Sequence, residues 1–268
     1  DVMHNGSAHY ILLDFGNNPE SQAGLDLLAK TAHSIAIIDH HPSERKVGNE
    51  LVLSSPAEGL GSEHTTGLLC YEVARMACNA DYGTLHFISL CGDRSTLEFG
   101  RTQGIEEAAL VLDYIASTAK RERHGIRFIN SLVDDPEMVH TIYLSATDKI
   151  DIAVGVAANA AKRKALGNGI LLVSANVEKV AEQGSFPPKG KITGGLHDSM
   201  CARGEDAVVT LGYGSDSVMI RANDAAVQKG FDANRVIREM KAGLGEIILS
   251  GGGHPRAAAI RFRKGFMK

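Results

Sequence analysis

Three adjacent polar residues, Asp39, His40 and His41, directly follow the apolar run Ile35, Ala36, Ile37, Ile38. A run of that kind reads as a buried strand, so a carboxylate and two imidazoles stand at its carboxyl end, the edge at which open α/β sheets bind ligands. The device recurs: Tyr10, Ile11, Leu12 and Leu13 lead to Asp14, and Leu85 to Cys91 leads through Gly92 to Asp93. Together these residues make an oxygen and nitrogen donor set that suits Mn²⁺ or a similar divalent ion better than a thiolate-rich zinc site. Carboxylates gathered within a few ångströms repel one another unless a cation neutralises them. Two ions about 3.5–4 Å apart in such a site activate water and stabilise the attacking and leaving oxygens of a phosphoryl centre. A single Asp at a strand end is usually a helix cap or turn former. The joint occurrence of three apolar runs ending in ligand-type residues is what points to a metal.

A second constellation lies far along the chain, where Gly251, Gly252 and Gly253 precede His254. Consecutive glycines mark a sharp turn or a place where a ligand approaches the backbone closely. Both readings stand at this point. Arg221, at the end of the apolar stretch Val218–Arg221, offers a bidentate phosphate clamp, although an isolated Arg in such a place is ordinarily a solvated surface residue.

The elements that must position these groups follow from the hydrophobic pattern. From Tyr10 to about Gly125, short apolar runs alternate with amphipathic stretches, which predicts strand-helix-strand units and a mainly parallel sheet. Residues 21–31 read as the crossover helix, and Thr65 and Thr66 as the capped start of another. Leu85–Cys91 declares neither period. Residues 105–123 read as a helix with a basic end at Lys120, Arg121 and Arg123. Residues 152–166 read as an alanine-rich helix, 169–174 as a strand and 184–190 as a loop. Val208–Leu211 and Val218–Arg221 read as strands of a hairpin, and 232–244 as a helix capped by Asp232. The pattern divides the chain into an amino-terminal α/β domain over 1–125, a helical connector over 126–168 and a smaller α+β domain over 169–268.

With 268 residues, 44% of them hydrophobic, the chain can bury a sizeable core. Its net charge of -4 carries no global basic signature, so nucleic-acid binding must rely on local patches. Cys70, Cys78, Cys91 and Cys201 follow no CxxC spacing and read as buried free thiols of a reducing compartment. No apolar stretch approaches the roughly 18 residues that span a bilayer. The expectation is a cytoplasmic protein with no membrane partner.

The order Leu12-Leu13-Asp14, Ile37-Ile38-Asp39-His40-His41-Pro42, Gly92-Asp93, then Gly251-Gly252-Gly253-His254 resembles the DHH phosphoesterase superfamily, in the branch with a carboxyl-terminal DHHA1 domain. The resemblance covers nearly the whole chain, and its tail looks most like the archaeal RecJ-like relatives. It implies a DHH domain and a DHHA1 domain with an interdomain cleft, two Mn²⁺ ions with Mg²⁺ as the substitute, and hydrolysis of single-stranded nucleic acid or short oligonucleotides. It implies metal roles for Asp14, His40 and Asp93, a supporting role for Asp39, and contact of His41 with the scissile phosphate. Arg221, the three glycines and His254 are the implied substrate contacts.

The family's first motif, an Asp-x-Asp pair, has no counterpart in the thirteen residues before Asp14. The expectation is either a piece of a longer chain, which the non-Met Asp1 favours, or a degenerate member with at most one intact metal position. Two other functions compete with the nuclease reading: a non-catalytic scaffold bound to replication or repair proteins, and a small-molecule phosphatase acting on a cyclic dinucleotide or nucleotide bisphosphate. The acidic balance and scarcity of aromatics favour short substrates.

Overall fold

The structure, a computed structural model, describes residues 8–15, 21–41, 48–61, 63–79, 83–118, 126–181, 186–263 and 265. Pro42, the basic trio Lys120, Arg121 and Arg123, and the loop residues Gly184 and Ser185 lie outside the described residues. Two units divide the chain, residues 1–110 and 111–268.

In the first unit, β1 (Ala8–Leu13), β2 (Ala32–Asp39) and β3 (Leu51–Ser54) form a parallel sheet in that order. Parallel strands need a crossover, and α1 (Gln22–Ala29) supplies it between β1 and β2. Its Leu25 is buried with Ile35 and Ile37, and Leu12, Leu28 and Val52 pack around them. Because side chains alternate along a strand, Asp39 shares the face of Ile35 and Ile37 and extends that layer beyond its apolar part. α2 (Thr66–Cys78) starts where the Thr65 side chain accepts from Leu68 N, and ends at Asn79 in the left-handed region. The run whose period was undeclared is helical, α3 (Leu85–Gly92), with Ile88 and Leu90 buried. A Cβ on Gly67 would collide with the Ser89 side chain, so glycine is what lets α2 and α3 approach there. α4 (Gln103–Thr118) follows and contains the unit boundary.

The second unit contains α5 (Ile126–Val133) and α6 (Pro136–Ala160) before its sheet. The sheet comprises β4 (Lys162–Ala165), β5 (Leu171–Asn176), β6 (Val208–Tyr213), β7 (Ser217–Ala222), β8 (Ile248–His254) and β9 (Ala257–Phe262). Its order is β4-β5-β6-β7-β9-β8, with β5 and β6 parallel and the other pairs antiparallel. α7 (Lys189–Cys201) and α6 pack on the face that carries Val173, Ala175 and Val208. α8 (Asp224–Gln228) and α9 (Ala233–Leu244) pack on the other, against Val209, Ile220, Ala258 and Ile260.

Three sequence expectations need correction. The helix expected over 152–166 begins at Pro136, capped by Asp135, and stops at Ala160; Lys162–Ala165 is instead an exposed edge strand. Its Lys-Arg-Lys sequence is what blunts an edge against pairing, and it leaves no hydrophobic period to read. The loop expected through Gly190 gives way at Lys189 to α7, which holds despite its glycines because Ile192, Leu196 and Met200 are fully buried. Gly195 and Gly212 show why glycine stands there: a Cβ would collide with Val154 in the first case and Thr193 in the second. All four cysteines are free, but none is fully buried and Cys78 is exposed. Among the described residues no helix is long and apolar enough to cross a membrane.

Candidate metal centre

Asp14 leaves β1 with its N–H donating to the Ile38 carbonyl at 2.9 Å and its φ at +57°, so the strand end is bent as the carboxylate is presented. Among the described residues, the other non-glycine residues in this region are Asn79, Arg94 and Asn168. The two asparagines sit in turns that tolerate them. Asp14 and Arg94 adjoin the acidic groups, in keeping with the concentration of backbone strain where side chains must be aimed.

Around Asp14 the five residues read from the three run ends come together. His41 Nδ1 is 2.8 Å from Asp39 Oδ1 and 3.8 Å from Asp14 Oδ1, and the His41 backbone N–H donates to the same Asp39 oxygen at 3.1 Å. His40 Nδ1 lies 3.6 Å from Asp14 Oδ1 and 3.8 Å from Asp93 Oδ2. The start of α2 holds this cluster. Thr66 N donates to His40 Nδ1 at 3.1 Å, and the Thr66 hydroxyl donates to Asp14 Oδ1 at 3.0 Å. Because Nδ1 accepts that N–H, the neutral His40 ring carries its proton on Nε2. Asp93 enters from the carboxyl end of α3, so two strands and two helices converge here.

Asp14, Asp39 and His41 each offer a ligand atom, and these atoms lie within 4.8 Å of one another. Two carboxylate oxygens and one imidazole nitrogen fit a Mn²⁺-like ion. The set expected from sequence, Asp14, His40 and Asp93, lies beside this group: His40 Nδ1 stands within 3.8 Å of both carboxylates and also accepts from Thr66 N. Ser54 pairs with Asp39 across β3 and β2, and the Ser54 and Ser55 hydroxyls are buried without a hydrogen-bond partner. Each such hydroxyl costs about 1–3 kcal/mol, a cost that ordered water offsets.

Protonation follows the same logic. Burial pushes the Asp39 carboxyl up, but the hydrogen bonds and charge of His41 outweigh it and hold Asp39 below its ordinary value. The hydrogen bond to Asp39 raises His41 above the ordinary imidazole range against the effect of burial, and the charges of Asp39, Asp14 and Asp93 add to it. A proton on His41 thus supplies the positive charge the carboxylates demand, and a divalent ion competes with that proton.

Thr66, Ser54 and Ser55 were not singled out in the sequence as members of a site. Thr66 beside Thr65 reads only as a helix start.

The remaining expected residues lie in the second unit. Strand register sets Arg221, Ala257 and His254 in one row across β7, β9 and β8, and Met219, Ala259 and Gly252 in the next row on the same face. The three glycines have different reasons. A Cβ on Gly251 would press on Ile260 at 3.0 Å and Ile237 at 3.2 Å, and one on Gly253, whose φ is +150°, would collide with the Ala257 carbonyl. Nothing lies within 4 Å of the place a Gly252 Cβ would take. Gly252 therefore adds no side chain to the face that carries Arg221 and His254, and no packing need explains it.

A solved DHH domain, from a protein described as a member of a ribosomal-protein family, superposes on 94% of this chain and 65% of its own length, with a TM-score of 0.80 and 23% identity. The chain has the DHH fold. RecJ of Thermus thermophilus, solved in complex with Mn²⁺, shares the DHH fold with this chain at a TM-score of 0.59 and 11% identity, covering 96% of this chain and 42% of that one. Among curated proteins, an uncharacterized protein of Methanocaldococcus jannaschii is 27% identical over 308 residues, covering 95% of this chain. The chain spans 39% of that relative's length. No family model matches.

Proposed function

We propose that this DHH-fold chain carries the centre of a divalent-cation-dependent phosphoesterase, and that its substrate is single-stranded nucleic acid or short oligonucleotides. The observation that carries the reading is the convergence of Asp14, Asp39 and His41 within 4.8 Å, with His40 and Asp93 beside them. That the RecJ neighbour was solved with Mn²⁺ supports the choice of ion. Asp14, Asp39 and His41 would hold the cation. When bound, such an ion polarises a phosphoryl oxygen and lowers the pKa of water.

The protein's own groups do the rest. Thr66 fixes the Asp14 carboxylate and the His40 ring with one hydroxyl and one N–H, so neither reorganises as charge develops. His40, whose Nδ1 accepts from Thr66 N, stands beside Asp14 and Asp93 at the edge of the cluster. In the second unit, Arg221 and His254 share one face with the small residues Gly252, Ala257 and Ala259, a guanidinium and an imidazole in one row that suit a phosphate.

The test is hydrolysis of end-labelled oligonucleotides of graded length by the protein with Mn²⁺. Cleavage that chelator abolishes, and that Asp39→Asn lowers by about 100-fold or more, is expected. Absence of cleavage at every length contradicts the reading, and preference for a cyclic dinucleotide or nucleotide bisphosphate over any oligonucleotide moves the substrate to a small molecule.

A further inference from the structure

Beside the acidic cluster, the first unit assembles aromatic rings that are dispersed in the sequence. Tyr71 of α2 stacks on His86 of α3 with ring centres 4.0 Å apart, and His86 lies 3.9 Å from Phe87. Phe87 stacks on Phe99 at 5.4 Å and 13°, and the Arg101 guanidinium covers Phe99 with its carbon 4.8 Å from the ring centre. The ladder stands outside the packed interior of these helices, which is made by Leu69, Ile88 and Leu90; its rings are half-buried and Arg101 is exposed. Arg101 is also tied to the site. Its Nη2 donates at 2.7 Å to the carbonyl of Ser95, the second residue after Asp93, and its Nη1 stands 3.8 Å from Glu106.

A guanidinium held over a ring and anchored to a backbone carbonyl is a positioned cationic plane. Such a plane stacks on a nucleobase, whichever base it is, and attracts the anionic backbone that carries it. Inorganic polyphosphate offers nothing to stack. We propose that Phe99 and Arg101 form a base-stacking platform next to Asp93, taking a nucleobase of the single strand whose phosphodiester the neighbouring cluster hydrolyses. The inference rests on the function proposed above and narrows its substrate to one that carries bases.

The experiment measures binding and not turnover, so it stays readable if hydrolysis fails. A dye-labelled thymidine hexamer, an abasic hexamer of the same backbone and a thymidine mononucleotide are titrated against the protein by fluorescence anisotropy, the mononucleotide by competition, in Ca²⁺ to hold cleavage back. The platform predicts that the hexamer binds about 5- to 150-fold more tightly than its abasic counterpart. Arg101→Ala should bring the hexamer down to the abasic level, and Arg101→Lys, which keeps the charge but loses the plane, should restore little of the difference. Phe99→Leu, with its melting temperature checked, should act as Arg101→Ala does. Equal binding of the two hexamers, an unchanged difference in Arg101→Ala, or a mononucleotide as tight as the hexamer overturns the proposal. Loss of cleavage with the base preference intact removes the phosphoesterase reading and leaves the platform.

Discussion

Two polar networks, one in each unit, are built in opposite ways. In the second, Lys189 donates to Glu178 at 3.0 Å, Asp216 at 2.9 Å and Ser217 at 3.3 Å, while Ser215 returns its N–H and hydroxyl to Glu178. Nearby, buried His197 pairs with Thr210 at 3.0 Å, and Asn223 takes the N–H groups of Val208 and Ala226. Those networks close on themselves. In the first unit three carboxylates crowd two imidazoles, Asp14 and Arg94 beside them hold left-handed backbone, and among the described residues the Ser54 and Ser55 hydroxyls find no partner. A polar network satisfied by its own members fixes structure; one that leaves charge and donors over is poised for something that is not protein.

The comparison can be broken by substitution. The largest effect on folding should come from Gly253→Ala, which forces a Cβ onto the Ala257 carbonyl at φ +150° and should cost at least about 1–3 kcal/mol in urea unfolding. An unchanged midpoint would mean the β8–β9 turn is not built as described.

Next is Lys189→Met, expected to cost about 1–2 kcal/mol at pH 7, since the network is partly exposed. Hydrogen bonds from Lys189 hold Glu178 and Asp216 below their ordinary values, and those bonds raise Lys189 against the effect of burial. The carboxylates' contribution is therefore present above about pH 4, their unfolded range, and is lost as pH falls through the depressed folded values. That of Lys189 is present below about pH 10.4 and is lost as pH rises through its raised value. The variant should thus approach the wild type in stability as pH falls progressively below about 4. A pH-independent difference would show that the loss is one of packing instead.

The smallest effect on stability belongs to Gly252→Ala, whose added methyl meets open space and whose backbone gains strand preference. Unfolding should be unchanged or raised by roughly 0.5 kcal/mol, while phosphate-dependent binding weakens. A destabilised Gly252→Ala would place this glycine with its two neighbours as a packing residue.

Much of this contrast was legible in the chain. An apolar run that ends in Asp or Asp-His-His is a local signal, and Asp14, Asp39, His40 and His41 stand where it put them, at the ends of β1 and β2. Asp93 closes a helix, because a short apolar run has no period of its own. Thr66 left no trace, since its bond to His40 joins residues 26 apart and depends on how α2 is aimed. Arg101 was invisible for a similar reason: its stack on Phe99 needs the turn after Asp93 to fold back. The α7 helix was hidden by its own glycines, of which Gly195 makes sense only beside Val154.

The claim on which the account turns is that Asp14, Asp39 and His41 hold a divalent cation in competition with a proton. Calorimetric titration of Mn²⁺ into the protein between pH 6 and pH 8 tests it directly. Because His41 is raised above about 6.5, affinity should fall as pH drops and proton release on binding should grow; Asp39→Asn and His41→Ala should each weaken binding about 10- to 100-fold. Mn²⁺ binding that ignores both pH and these substitutions would contradict the account.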